Sequence, residues 1–287
     1  MACASLPAPP PRRAPRLPGS ASACIESRWP WRQDAHVPDR IDFNCDLGEG
    51  CGDDAAIVPW ISSASIACGG HAGDEASMRE TVALCLRHGV AIGAHPSFED
   101  RAHFGRRELA LAPGEVHALV LAQVRRLAAA CEAAGARLRH VKPHGALYNL
   151  AARELDTARA IADAVREVDR GLRLYALAGS DLASAGRSAG LQVAEEAFAE
   201  RGYAADGRLA PRGQPGAVIE TLEGALAQVR GLVREHAVHA LDGSRIALRA
   251  DTLCLHGDRH DAAAFARALR EALEAEGIVV RAPGDAP

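Results

Sequence analysis

The sequence predicts an α/β fold, a parallel β/α barrel that is closed or nearly closed, on three observations. Short apolar runs alternate with helical patterns from Arg40 onward, the order that gives parallel strands joined by crossover helices. Alanine is abundant while aromatic residues make up only 4%, which favours helices packed closely on a sheet. The alternation repeats about seven times, a number that fits a barrel better than a doubly wound sheet.

In chain order, the strand candidates are 41–46, 64–68, 90–95, 138–142, 173–178, 191–196 and 252–256. Each is a short apolar-rich run bounded by turn residues. Helical patterns fill the intervals at 75–88, 113–134, 154–169, 180–189, 216–235 and 261–276. Pro113 suits a first helical turn, where a missing N–H costs nothing. Gly89, Gly135 and Gly277 stand where helices end in a left-handed residue. Residues 1–38 break the pattern: they are rich in Pro, Arg, Ala and Ser, without periodicity or a continuous apolar segment. They are expected to be a disordered extension, or to come from a start codon placed too far upstream. Residues 39–287 are expected to form a single catalytic domain.

Composition excludes several classes. The net charge of −4 comes with no basic stripe, so no nucleic-acid partner is expected. No apolar run approaches the ~20 residues of a membrane span. The eight cysteines form no CxxC pair. They are expected to be reduced thiols in a cytoplasmic protein, several of them small core residues, and not ligands of a structural zinc.

Lys142 is the only lysine, in a chain whose other strong cations are all arginine. An exposed cation could be arginine at no loss. A lysine retained between His140 and His144 points to a site that needs a compact ammonium on a flexible stem.

Polar residues collect where the strand candidates end. The first ends in Asn44, Asp46 and Glu49, the second in His71 and Asp74, and the third in His95. The fourth ends in Lys142 and His144, the sixth in Glu196, and the last in His256 and Asp258. In parallel β/α folds these ends share one rim, where active sites lie. Alternation puts Asn44 and Asp46 on one strand face, and Lys142 and His144 on another. Two chemistries fit. Asp and His side chains at the rim could hold a divalent metal that activates water. Alternatively, carboxylates and histidines serve as base and acid without metal, with Lys142 on an oxyanion or phosphate. Arg106 and Arg107 follow the third strand as an anion clamp or a solvated turn, and Arg201 lies in a comparable loop. No P-loop and no G-x-S-x-G elbow is present.

Six segments together closely resemble the LamB/YcsF family: 44–50 (NCDLGEG), 68–74 (CGGHAGD), 93–97 (GAHPS) with 104–107 (FGRR), 142–149 (KPHGALYN), 196–203 and 250–258 (ADTLCLHGD). The resemblance implies a distorted barrel of about seven strands, of the glycoside hydrolase/deacetylase kind. It implies ATP-dependent opening of 5-oxo-L-proline to L-glutamate, with ATP as co-substrate accompanied by Mg2+, and two partner subunits, B and C. A tightly bound metal is left open. Asp46, His71, His95, Lys142 and His144 are then expected to be catalytic: Asp46 or a histidine activates water, His71 and His95 move protons, and Lys142 with His144 binds the oxyanion or phosphoryl group. Asn44, Glu49, Asp74, Arg106, Arg107, Glu196, Arg201, His256 and Asp258 are expected to bind substrate or nucleotide. The chain departs from the family pattern at Cys51, Gly70, Glu75 and Glu200, and Gly70 is expected to loosen the loop carrying His71. The competing class is a stand-alone metal-dependent deacetylase or amidase.

Overall fold

The computed structural model describes residues 40–257 and 261–284; the expectations for residues 1–38 and for Asp258 lie outside them. The chain enters through β1 (Arg40–Leu47), turns through a short helix α1 (Asp54–Ile57), and continues into β2 (Ser63–Ala67) and α2 (Glu75–His88). Then come β3 (Ala91–His95), α3 (Pro113–Ala133), β4 (Leu138–Val141), α4 (Gly145–Ala151) and α5 (Leu155–Val168). The second half holds β5 (Arg173–Leu177), α6 (Asp181–Ser188), β6 (Gln192–Phe198) and α7 (Leu222–Arg230). A hairpin of β7 (Ala237–His239) and β8 (Arg245–Ala247) precedes β9 (Thr252–His256), α8 (Ala262–Ala275) and β10 (Val279–Val280).

Seven parallel strands close the barrel in the order β1-β2-β3-β4-β5-β6-β9, with β9 pairing back onto β1. β10 extends only the start of β1, pairing Arg40 with Val279 and Ile41 with Val280. All seven strands foreseen from sequence are in the barrel wall. Local signals explain the helix ends: Asp74 and Ser77 form a reciprocal capping box on α2, Gly89 ends it at φ +66, and Pro113 opens α3.

The interval between β6 and β9 departs from expectation. The helix expected over 216–235 starts only at Leu222, because the Thr221 side chain caps it by accepting from Gly224 N. Its last turn widens over Gly231–Glu235 and stops at His236, which has φ +50. The hairpin β7–β8 and helix α4 were not foreseen. In α4, Ala146, Leu147, Tyr148, Leu150 and Ala151 are all buried, so no polar face gives it helical periodicity.

The barrel interior is polar along β1. Ile41, Phe43, Cys45 and Leu47 belong to the hydrophobic core, while Asp42, Asn44 and Asp46 alternate with them and reach side chains of other strands. At the lower end, Asp42 accepts hydrogen bonds from Ser62 Oγ (2.6 Å), Ser63 Oγ (2.7 Å), Thr252 Oγ1 (2.6 Å) and Tyr175 OH (2.9 Å). Burial raises its pKa, and these donors offset only part of the rise. The His140 ring stacks on Tyr175 at 4.1 Å. It also lies flat against the backbone of β3, where a Cβ on Gly93 would meet His140 Nε2 at 2.0 Å. Glycine is thus the only residue that fits there.

Burial, reinforced by the charge of Lys142, pushes the His140 pKa down to about 3. The unfolded chain takes up that proton near pH 6.5, so between pH 6.5 and 3 the unfolded state binds it and the folded state does not. Stability therefore falls as pH drops through this window. A His140→Phe variant, which keeps the ring stack, is expected to lose about one proton from the acid limb, or about 1.4 kcal/mol per pH unit. Denaturant midpoints between pH 6 and 4 measure this. An acid limb as steep as the wild type's would contradict the assignment.

Candidate active site

A cavity of about 510 Å³ opens at the C-terminal ends of the strands. Its floor is built around the ammonium of Lys142, the residue directly after β4. Nζ lies 2.7 Å from Asp46 Oδ1, 3.0 Å from Glu196 Oε1, 2.9 Å from Asn44 Oδ1 and 3.1 Å from Cys254 Sγ. Burial alone would drive this ammonium towards neutrality; the carboxylates of Asp46 and Glu196 more than reverse that, and its pKa stands well above the lysine norm. Burial likewise opposes the charge on Asp46, but His95 and Lys142 outweigh it and hold the carboxyl well below its usual range. The Cys254 thiol is pushed well up, mainly by burial, and stays protonated. Glu196 also accepts from Tyr148 OH (2.7 Å) and Asn44 Nδ2 (2.9 Å), so its charge is fully hydrogen-bonded.

Beside this floor lies a second cluster. His95 Nε2 is 3.3 Å from Asp46 Oδ2 and 3.0 Å from His144 Nδ1. His71 Nε2 is 2.9 Å from Glu49 Oε1, and the His71 and His144 rings stack at 3.7 Å. Burial, reinforced by the neighbouring His95, pushes the His71 pKa down to about 3, and the same two causes hold His144 well below the histidine norm. The cluster rests on the turn after β3. Phe104 there takes φ +53, at a cost of about 1–2 kcal/mol for a residue with a side chain, and so aims its carbonyl at His144 Nε2, 2.9 Å away. At Gly105 (φ +62) a Cβ would lie 2.8 Å from His71 Cβ. The loop carrying His71 is not loosened by Gly70: a Cβ there would come within 2.5 Å of Ser97 Oγ, so the loop packs tightly.

Two groups of side chains have donor atoms close enough to share a metal ion: Glu49, His71, His95 and His144, and Asp46, Cys254 and His256. In the second group the Lys142 ammonium already sits against Asp46 and Cys254, where it would repel a metal cation.

Of the residues picked out in the sequence, Asp46, His95, Arg106, Lys142, His144, Glu196, Arg201 and His256 line the cavity. Asn44 braces Lys142 from within the barrel, and Glu49 and His71 stand in contact with the histidine cluster. Two others are elsewhere. Asp74 caps the exposed start of α2, a role its short carboxylate suits better than ligand binding. Arg107 is exposed and pairs with Asp100 at 3.5 Å. The role expected for Lys142 and His144 on a substrate oxyanion also meets a difficulty. Three ammonium protons already face four acceptors, and both ring nitrogens of His144 are engaged.

Several residues of the site lie outside those picked out in the sequence. Thr252 and Cys254 share the inward face of β9 with His256, which alternation alone would have shown. Tyr148 lies one helical turn after His144. Glu200 holds His256 Nδ1 at 2.7 Å from a loop beyond β6, and Arg153, Arg208 and Arg212 join Arg201 in the cavity wall; for these the sequence offers no periodic signal.

Comparison with known proteins matches residues 41–286 to the LamB/YcsF family model. The chain belongs to the LamB/YcsF family. It is 54% identical over 247 residues to a protein from Bordetella pertussis named as the A subunit of 5-oxoprolinase, covering 84% of this chain and 98% of that one. A protein of the same name from Bordetella parapertussis matches to the same extent. Among solved structures, the lactam utilization protein from Thermus thermophilus shares 50% identity with a TM-score of 0.80, covering 85% of this chain and 99% of that one. A putative cellobiose-phosphate cleavage protein from Enterococcus faecalis, at 11% identity and a TM-score of 0.53, shares the fold alone, covering 85% of this chain and 97% of that one.

Lys142→Met strands Asp46 and Glu196 as buried, uncompensated carboxylates. The loss expected is about 3–5 kcal/mol in chemical denaturation. The double variant Lys142→Met/Glu196→Gln recovers part of it. Wild-type stability in Lys142→Met would refute the assigned pairing.

Proposed function

We propose that this chain is the A subunit of a 5-oxoprolinase, acting with subunits B and C in the ATP-dependent hydrolysis of 5-oxo-L-proline to L-glutamate. The observation that carries this reading is the match along 98% of proteins bearing that name. The cavity supplies fitting chemistry. Its floor holds ionised Asp46 and its wall is cationic, with Arg106, Arg153, Arg201, Arg208 and Arg212. Burial, then repulsion from Arg212, lowers the Arg201 pKa to about 10. An anion lodged in this wall relieves that repulsion, and the substrate carboxylate and a phosphoryl group are both such anions.

A lactam carbonyl is a poor electrophile, and ATP, carried with Mg2+, supplies the drive. Transfer of the γ-phosphoryl group to the amide oxygen releases ADP and makes C5 electrophilic. Water adds to C5, the C5–N bond breaks with a proton passing to nitrogen, and a γ-glutamyl phosphate results. A second water releases phosphate and leaves L-glutamate. In this scheme His256 is the base for the attacking water. Glu200 accepts from its Nδ1 and fixes the tautomer, leaving Nε2 with a lone pair in a side chain that lines the cavity. Asp46, kept ionised by Lys142, orients the water as hydrogen-bond acceptor. Free cysteines, six among the described residues, suit the reducing cytoplasm. Among the described residues no helix is long and apolar enough to cross a membrane.

The test is glutamate formation from 5-oxo-L-proline and ATP by the chain assembled with subunits B and C. Turnover is expected from the assembly and is expected to fall at least a hundredfold in Asp46→Asn. Arg212→Ala is expected to raise KM about tenfold with a smaller change in kcat, the loss of one charge-assisted hydrogen bond. An assembly that forms no glutamate would overturn the reading. Amide hydrolysis by this chain alone, without ATP, would favour the stand-alone amidase instead.

A further inference from the structure

The histidine cluster has a hydrogen-bonding problem that neutral imidazole rings do not solve. His95 Nδ1 lies 2.7 Å from the Lys142 carbonyl and His144 Nε2 lies 2.9 Å from the Phe104 carbonyl. A carbonyl only accepts, so both of these nitrogens carry the proton and donate. The remaining nitrogens, His95 Nε2 and His144 Nδ1, are then lone pairs facing each other at 3.0 Å. Glu49 Oε1 joins them at 3.5 Å from His144 Nδ1 and 4.0 Å from His95 Nε2, and Asp46 Oδ2 stands 3.3 Å from His95 Nε2. Electron pairs pointed at one another in a dry interior need a cation among them.

A single proton bridges one pair of acceptors, whereas this cluster brings more together. The donor atoms of Glu49, His71, His95 and His144 all lie within 4.8 Å of one another. The separations between Glu49 Oε1 and the three ring nitrogens, and between His95 and His144, run from 2.9 to 4.0 Å. The edge of a tetrahedron around an ion bound at about 2.0–2.1 Å is about 3.3 Å, which these separations bracket. We propose that Glu49, His71, His95 and His144 form a buried site for one divalent first-row transition ion, zinc being the best chemical match.

Three imidazoles and one carboxylate suit zinc's preference for nitrogen and oxygen donors in a four-fold site. The carbonyls of Lys142 and Phe104 provide the outer hydrogen bonds that metal-binding histidines use to fix their tautomer. His71 lacks that support, since its Nδ1 is buried without a partner, so it is the weakest of the four ligands. The entry path is the cavity itself, which His95 and His144 line. The site does not depend on the oxoprolinase reading, because it rests on donor geometry alone.

The test uses the full chain, with any purification tag removed, stripped with chelator and titrated with Zn2+ and with Co2+ by calorimetry and visible absorption. One equivalent is expected to bind, with the intense visible bands of four-coordinate Co2+ and a rise in thermal midpoint with Zn2+. Glu49→Gln and His144→Ala are expected to weaken binding at least a hundredfold, and His71→Ala by less. His117→Ala, which removes a surface histidine, is expected to change nothing. X-ray absorption on the zinc-loaded wild type, which needs no variant to fold, is expected to show a nitrogen and oxygen shell with scattering from imidazole rings. The proposal is overturned if the stripped wild type takes up no stoichiometric ion. It is also overturned if His117→Ala loses binding as His144→Ala does, or if the absorption spectrum shows no imidazole.

Discussion

One buried ammonium organises the open end of this barrel. Lys142 follows β4 and reaches Asn44 and Asp46 on β1, Glu196 on β6 and Cys254 on β9. A single side chain thus connects four of the seven strands across the interior. A guanidinium could not take its place: its planar fork would need room and coplanar acceptors, whereas the four acceptors here surround a point. In a chain that otherwise uses arginine for its strong cations, this geometric demand accounts for the one lysine. It also accounts for the carboxylates around it, which stay ionised in a dry interior because the ammonium compensates them.

The same constraint separates the two cation-binding arrangements that lie side by side. Where Asp46, Cys254 and His256 converge, the protein supplies its own cation on a tether. Where Glu49, His71, His95 and His144 converge, it supplies only donors. Asp46 touches both, through Lys142 at 2.7 Å and His95 at 3.3 Å. A change of charge in either cluster is therefore felt in the other, and in the cavity floor they share.

The regular half of the molecule was legible in the sequence. Strand–helix alternation and glycine punctuation placed the seven barrel strands, and the two-residue period placed Asn44 and Asp46 together. The same period, applied to β9, would have added Thr252 and Cys254. What stayed hidden depends on tertiary pairing. Glu49 meets His71 only because β1 and β2 are neighbours in the barrel. Helix α4 is apolar on nearly every side and shows no face. Asp74 was read as a ligand by its position at a strand end, yet the same position is where a helix needs its cap.

The least regular stretch is also the one that builds the cavity wall. Between β6 and β9 a barrel of uniform units would place one helix; here there is a long loop, α7 and a small hairpin. Arg201 ties that loop down by donating to the carbonyls of Ala210 and Ala217 at 2.7 and 3.1 Å, which carries Arg208 and Arg212 to the cavity. Glu200, the residue before it, holds His256. Local sequence preference signals the helix of this segment but neither its loop nor its hairpin, because the loop residues answer to the cavity and not to a helix or strand period. Departures of this kind fall where a fold gives up local consistency for a site. The regular strands position the charged floor, and the irregular crossover decides what can be bound against it.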